Sequence, residues 1–153
     1  MAQALAGASD DDEARLKRRL RELRQRVLLR VMARDLSGRA ELAEVCATMS
    51  DLAELEIAAA LDWTGEKELI VVGMGKLGGR ELNVSSDVDL VFVYRGDGEE
   101  QARYERAGRK LIRLLSEPTG EGFAFRVDMR LRPYGDSGPL ACNLEAQLDV
   151  GRW

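Results

Sequence analysis

Apolar residues recur every three or four positions through the first third of the chain, which is the spacing of amphipathic helices. The pattern predicts a first helix from Glu13 to the break at Ser37-Gly38, and a second over 40–61. The apolar stripe of the first helix consists of Leu16, Leu20, Leu23, Val27 and Val31, and that of the second of Leu42, Val45, Met49, Leu52 and Leu55. We expect residues 13–62 to form a helical segment packed on the core, after a disordered acidic stretch over 1–12.

The middle of the chain changes to strand patterns on either side of a glycine-rich turn. Residues 69–94 read LIVVGMGKLGGRELNVSSDVDLVFVY, with strands predicted over 69–72 and 88–94. Asp87 and Asp89 share one face of the second strand, about 7 Å apart. Carboxylates placed side by side in an apolar strand are costly unless a cation lies between them. Mg²⁺ is the candidate cation, since it binds one or two carboxylates and shares its other sites with substrate phosphates.

The glycines of this turn also match the dinucleotide-binding fingerprint, GxGxxG, at Gly73, Gly75 and Gly78. That fingerprint requires a full helix and then a parallel strand. Only the residues RELNVSS separate Gly79 from Asp87, which is too short for such a crossover. We therefore favour a different nucleotide site, in which the glycines let backbone N–H groups approach a phosphate.

After the second strand the pattern predicts a third helix over 99–116 and a third strand over 123–131. Residues facing inward from that helix are predicted to be Tyr104, Ala107, Leu111, Leu114 and Leu115. In the strand, FAFRVDMRLRP, the apolar face holds Phe123, Phe125, Val127, Met129 and Leu131, and the polar face holds Arg126, Asp128, Arg130 and Arg132. A solvated face is one interpretation, but three arginines around one aspartate is an unusual composition for solvation alone.

Composition limits the chemistry. The chain has 153 residues, no His, two Cys and a formal net charge of -4. Without His, catalysis depends on carboxylates, Lys, Arg and metal. Cys46 and Cys142 match no zinc spacing and are expected to be reduced thiols. No run is apolar enough to cross a membrane, and the acidic start lacks signal-peptide features, so we expect a cytoplasmic protein without a membrane or nucleic-acid partner.

The first helix is an exception to this acidity. Its basic residues are Arg15, Lys17, Arg18, Arg19, Arg21, Arg24, Arg26, Arg30 and Arg34. We interpret them as a solvated face whose long stems cover apolar surface. The alternative is a docking surface for an acidic partner or for nucleic acid.

A glycine pair, a short spacer and then Asp-x-Asp on a strand resembles the nucleotidyltransferase core of the DNA polymerase beta type. Two longer stretches, GMGKLGGRELNVSSDVDLVFVY and GFAFRVDMRLRPYGDSGPL, closely resemble the bacterial glutamate-ammonia ligase adenylyltransferase family. The resemblance implies an α+β fold, with a small mixed sheet flanked by helices over 63–141. It also implies a bifunctional enzyme that adds AMP to glutamine synthetase and removes it.

The resemblance also assigns roles to residues. It implies that Asp87, Asp89 and Asp128 are the catalytic and metal-binding residues, with Mg²⁺ as the metal. It implies that nucleotide or phosphate is bound by Gly75, Lys76, Gly78, Gly79, Ser86, Arg126 and Arg130, with ATP or ADP as the nucleotide. The implied partners are glutamine synthetase and, for the full-length enzyme, PII signalling proteins.

Enzymes of this family have two related halves and are several times longer than this chain. The stretch RVDMRLRPYGDSGPL looks more like the first half, which removes AMP by phosphorolysis and releases ADP. The alternatives are the ATP-dependent adenylylating half and a non-catalytic module that binds nucleotide or a partner. The likeness ends after Leu140, so we expect a fragment whose residues 142–153 are divergent or truncated.

Overall fold

The computed structural model describes residues 10–96 and 98–145. Its helices are α1 (Asp10–Leu36), α2 (Leu42–Thr64), α3 (Gly75–Gly78) and α4 (Gln101–Ser116), and its strands are β1 (Leu69–Met74), β2 (Val88–Tyr94), β3 (Val127–Asp128) and β4 (Ala141–Asn143). Short 3₁₀ turns cover Gly98–Glu100 and Gly135–Ser137. Helix α1 begins three residues earlier than the predicted Glu13, so only 1–9 of the stretch expected to be disordered lies outside the described residues.

The two long helices form where the apolar stripes predict them, but the buried face of α2 differs in part from its predicted stripe. Gly38, at a φ of +66°, follows the end of α1, and Gly65, at +75°, caps α2 in the left-handed region that favours glycine. The buried side of α2 is formed by Val45, Met49, Ser50, Leu52, Ala53, Glu56, Ile57 and Ala60. The predicted stripe of α2 was wrong at its ends, because Leu42 and Leu55 are 73% and 56% exposed.

The sheet is small and mixed, as predicted. Strand β1 runs antiparallel to β2, with Gly73 opposite Leu90 and Met74 opposite Asp89, so no parallel crossover joins them. Strand β3 pairs parallel with the first residues of β2, and β4 pairs parallel with its last three. β2 is therefore the central strand, and the α+β fold class with flanking helices is confirmed.

The core lies between this sheet and the helices. All five residues of α4 predicted to face inward are buried. The α4 backbone approaches β2 closely at Gly108, where an added Cβ would lie 2.7 Å from a ring carbon of Phe92. Beside this contact the rings of Tyr94 and Tyr104 stack with centroids 4.6 Å apart. Helix α4 thus seals the second half of β2.

The third strand predicted over 123–131 was mostly wrong, since only Val127–Asp128 pairs with β2. The preceding amides of Ala124 and Phe125 instead donate to the carbonyl oxygen of Leu115 at the end of α4. After Asp128 the chain turns, with the Arg132 amide donating to Met129 O, and Leu131 is 53% exposed. Local alternation predicted the inward faces of Phe125 and Val127 but not the partner of each backbone group.

The end expected to be divergent contributes to the sheet. Ala141 and Cys142 of β4 are buried, at 0% and 3% exposed. Cys46 and Cys142 are free thiols. Residues 146–153 lie outside the described residues. None of the helices in the described part of the chain combines the length and apolarity needed to span a membrane.

Candidate functional site

The three predicted carboxylates lie at one end of the sheet. Asp87 immediately precedes β2, and Asp89 of β2 is in register with Asp128 of β3. Burial raises the pKa of Asp89, and the negative charges of Asp128 and Asp87 raise it further. The positive charges of Arg130 and Lys76 act in the opposite direction. The half-buried Asp89 carboxylate therefore interacts with both negative and positive charges at this end of the sheet.

The glycine turn packs against that carboxylate. Gly75 has a φ of +53°, and an added Cβ there would lie 2.5 Å from Asp89 Oδ2. A side chain at position 75 is thus excluded both by its backbone angle and by contact. At Gly78 an added Cβ would lie 2.8 Å from Gly73 O, so α3 lies flat against the end of β1. The turn brings the backbone and the exposed Lys76 close to Asp89.

The last residues of the turn are held by internal contacts. The Gly79 amide donates to Gly75 O at 3.0 Å, so this predicted phosphate ligand is engaged within the turn. Arg80 takes a positive φ of 55° and its guanidinium pairs with Asp51 and Glu54 of α2. These ion pairs fix the turn to α2.

Asp87 is paired with an arginine. Nε of Arg126 lies 2.5 Å from Oδ1 of Asp87, and Nη2 of Arg126 donates to Ser85 O at 2.8 Å. The Val88 amide donates to Arg126 O at 2.9 Å. Arg126 thus holds together the segments that carry Asp87 and Asp128. Its side chain is 54% exposed, so its guanidinium can reach a ligand at this edge.

Asp128 is paired with a second arginine. Its Oδ2 accepts from Nε of Arg130 at 2.8 Å, and its Oδ1 accepts from the Arg130 amide, also at 2.8 Å. The Arg130 guanidinium holds the pKa of Asp128 below its ordinary value, and the amide hydrogen bond adds to this. The Arg130 side chain is 78% exposed, whereas that of Asp128 is 15% exposed. The arginine can therefore move away while the carboxylate stays in place.

Ser86, a predicted phosphate ligand, takes part in the turn before β2. Its hydroxyl oxygen accepts from the Asn83 amide at 3.2 Å, and its own amide donates to Asn83 O at the same distance. Asn83 Oδ1 in turn accepts from the Ser85 amide at 3.0 Å. These bonds fix the approach to Asp87.

Convergence of the three carboxylates on one metal ion stays a prediction. Within residues 10–96 and 98–145, no group of three or more His, Cys, Asp or Glu side chains is placed to hold a metal ion. Asp87 and Asp128 are instead paired with Arg126 and Arg130. The donor set nevertheless fits Mg²⁺, because it is composed of carboxylate oxygens.

Three buried ionisable side chains were missed by the sequence analysis. Arg21 and Arg24 of α1 are 0% and 8% exposed, so the interpretation of the basic residues as a solvated face was wrong at these positions. Glu56 of α2 is also fully buried. A signal was present, since Arg24 follows the buried Leu20 by one helical turn and therefore lies on the apolar stripe.

Comparison with known proteins gives a consistent picture. The model of the glutamate-ammonia ligase adenylyltransferase family matches residues 1–149, which extends past Leu140, where the likeness was expected to end. Among the relatives are proteins named bifunctional glutamine synthetase adenylyltransferase/adenylyl-removing enzyme. That of Nitrosomonas europaea is 50% identical, with 88% of this chain and 17% of the relative covered. That of Burkholderia mallei is 51% identical, with 90% and 18% covered, and that of Aromatoleum aromaticum 49%, with 88% and 17%. The chain therefore spans under a fifth of the length of these relatives.

Proposed function

We propose that this chain, which belongs to the glutamate-ammonia ligase adenylyltransferase family, carries an adenylyl-transfer site at the carboxylate end of its sheet. We propose further that this site removes AMP from glutamine synthetase by phosphorolysis. The observation that supports the site most directly is the register of Asp89 with Asp128, with Gly75 packed on Asp89. For the full-length enzyme, the proposal includes a cytoplasmic location and control by PII signalling proteins.

Asp87, Asp89 and Asp128 are the residues that would hold Mg²⁺. Bound there, the ion supplies neutralisation of charge on the attacking and leaving oxygens of the phosphoryl centre. For all three carboxylates to serve as ligands, Arg126 and Arg130 must leave Asp87 and Asp128. Both arginine side chains are more than half exposed, so this exchange requires side-chain rotation only.

Once released from the aspartates, the two arginines are suited to binding phosphate. A guanidinium binds phosphate oxygens with the same fork that binds a carboxylate. Arg126 and Arg130 would therefore pass from Asp87 and Asp128 to the phosphates of the nucleotide and of the incoming inorganic phosphate. Gly75 and Lys76 line the opposite side of Asp89, where they would contact the nucleotide.

In the proposed reaction, an oxygen of inorganic phosphate attacks the α-phosphorus of the AMP-tyrosine in line. The bond from phosphorus to the tyrosine oxygen breaks and the proton of the hydrogen phosphate passes to that oxygen, so the products are ADP and a tyrosine hydroxyl. Near neutral pH inorganic phosphate is already largely deprotonated, so this direction requires no strong general base. The reaction in this direction is therefore compatible with a chain that has no His.

The name of the relatives supports a second candidate, since it covers both an adenylyltransferase and an adenylyl-removing activity. In the adenylylating direction, ATP is the donor and a tyrosine hydroxyl must lose its proton. A carboxylate would accept that proton.

The test is to supply the chain with adenylylated glutamine synthetase, Mg²⁺ and inorganic phosphate, and to measure ADP. We expect ADP release that disappears in Asp87→Asn and persists in the control Asp35→Asn, an exposed aspartate at the end of α1. Transfer of AMP from ATP to unmodified glutamine synthetase, without phosphorolysis, would assign the site to the second candidate. Nucleotide binding with neither reaction would identify a non-catalytic module.

A further inference from the structure

Arg24 of α1 reaches both segments that carry the aspartates. Its Nη2 donates to Val84 O at 3.3 Å, three residues before Asp87. Its guanidinium carbon lies 4.4 Å from the centroid of the Phe125 ring, three residues before Asp128. Only 8% of Arg24 is exposed, so these contacts are made in the interior. A single side chain from outside the sheet thus touches both approaches to the site.

The two segments above Arg24 are also joined to each other. Arg126 connects them through Asp87 and Ser85 O, and the Val88 amide closes the connection on Arg126 O. The Phe123 ring lies beneath this joint, with the guanidinium carbons of Arg24 and Arg126 at 5.7 Å and 5.6 Å from its centroid. A shift of Arg24 would therefore be transmitted to both segments together.

The charge of Arg24 is faced by Glu56 of α2. Glu56 is fully buried, and this burial raises its pKa to about 8, although the positive charges of Arg24 and Arg21 favour the ionised form. Within the described residues, both carboxyl oxygens of Glu56, Arg24 Nη1 and Ser50 Oγ are buried without a hydrogen-bond partner. Apolar side chains of similar volume would stabilise the helices at least as well as these buried polar groups. Their burial therefore calls for an explanation other than stability.

We propose that Arg24 is a positioning residue for the adenylyl-transfer site. By fixing Val84 and Phe125, Arg24 sets the separation of the segments that bear Asp87 and Asp128. Small errors in such a separation reduce the function of a site strongly. The proposal rests on the function proposed above. It makes the N-terminal helical segment a component of the site.

The experiment compares two lysine substitutions in the full 153-residue chain. Arg24→Lys keeps the charge but loses the guanidinium hydrogen bond to Val84 O and the stacking on Phe125. The control, Arg21→Lys, lies three positions earlier on α1, where Arg21 is fully buried and donates to Leu114 O and Glu117 O at the end of α4. Thermal unfolding, Mg²⁺-dependent ADP affinity and amide hydrogen exchange are measured for both.

We expect both substitutions to lower the melting temperature. Only Arg24→Lys should weaken ADP binding, by about tenfold or more, and accelerate exchange of the Val88 and Arg130 amides, which bond Arg126 O and Asp128 Oδ1. The proposal is overturned if Arg24→Lys binds ADP as the wild type does. It is also overturned if both variants lose affinity in proportion to their loss of stability.

A second variant covers the case in which Arg24→Lys does not fold. The double variant Arg24→Met, Glu56→Met removes both buried ionisable groups at similar volume, and we expect it to be folded but to bind ADP weakly. Wild-type affinity in this variant would refute the positioning role. If the wild type itself binds no ADP with Mg²⁺, the proposed function of the site fails. Amide exchange at Val88 and Arg130 would still decide whether Arg24 holds the two segments.

Discussion

The two ends of β2 have opposite characters. At the far end, Phe92 and Tyr94 are 0% and 1% exposed, α4 covers one side, and β4 completes the edge. At the near end, β3 contributes only two residues, and the carboxylates are held by exposed arginines. One strand therefore combines a sealed half that supplies stability with an open half in which charges can change partners.

The same contrast separates the two aspartates that face each other across the near end. The pKa of Asp89 is raised, chiefly by burial, whereas that of Asp128 is lowered, chiefly by its hydrogen bond from Arg130. The charge of Asp89 is thus unfavourable in the folded protein, and the charge of Asp128 is favourable. If protein contacts already stabilised the charges of both carboxylates, the binding of a cation between them would release little free energy.

The far end can be broken by Phe92→Ala. Removing this fully buried ring should destabilise the protein by about 3–5 kcal/mol, measured by urea unfolding. The matched change at the near end, Asp89→Asn, removes a charge that the fold disfavours. Its stability at pH 7 should equal or exceed that of the wild type, while Mg²⁺-dependent ADP binding is lost. Equal destabilisation by both substitutions would contradict the division of β2 into two halves.

The buried carboxyl group of Glu56 on α2 should make the free energy of unfolding depend on pH. Burial raises the pKa of Glu56 to about 8, so folded Glu56 retains a proton that the unfolded chain loses above its ordinary pKa of about 4. This contribution is fully present at low pH and is lost as the pH rises towards 8. The slope is at most about 1.4 kcal/mol per pH unit.

Glu56→Gln should remove that part of the pH dependence between about pH 5 and pH 8, as measured by urea unfolding at each pH. Glu44→Gln is the control, because Glu44 lies on the exposed side of α2 in a pair with Arg34. Unchanged pH dependence in Glu56→Gln would show that Glu56 is ionised in the folded protein and paired with Arg24 or Arg21.

The smallest effect concerns the exchange of partners at Asp128. Arg130→Gln frees this carboxylate, so affinity for Mn²⁺ without nucleotide should rise by about two- to fivefold, as expected for an exposed ion pair. Affinity for ADP should fall, since a phosphate-binding fork is lost. Paramagnetic resonance measures the first and calorimetry the second. Arg109→Gln, which breaks an exposed pair with Glu105 on α4, should change neither. A loss of Mn²⁺ affinity in Arg130→Gln would contradict the exchange.

Much of the fold could be predicted because its signals are local. The bounds of β2 follow from a run of apolar residues, and the antiparallel pairing of β1 from the short distance between Gly79 and Asp87. The third strand could not be predicted correctly. Alternation shows which side chains share a face, but the bonding of Ala124 to Leu115 depends on where α4 ends in space.

The sequence proposes residues for the site but does not predict how they are paired in the structure. Asp-x-Asp and Asp128 were recognisable, and all three aspartates lie at the same end of the sheet. The pairing of Arg126 with Asp87 and of Arg130 with Asp128 could not be predicted, because an arginine binds phosphate as well as carboxylate. Arg24 was taken for a surface residue, since its burial depends on contacts with segments far along the chain.

The contact of Arg24 with Val84 and Phe125 has a consequence for the order of events during synthesis. The site joins a helix near the beginning of the chain to a segment about one hundred residues later. Domains generally fold as units during synthesis. A nascent chain that lacks Asp128 therefore cannot complete the proposed site, even after α1 and α2 have emerged. The nucleotide would meet a competent site only when most of this chain has left the ribosome.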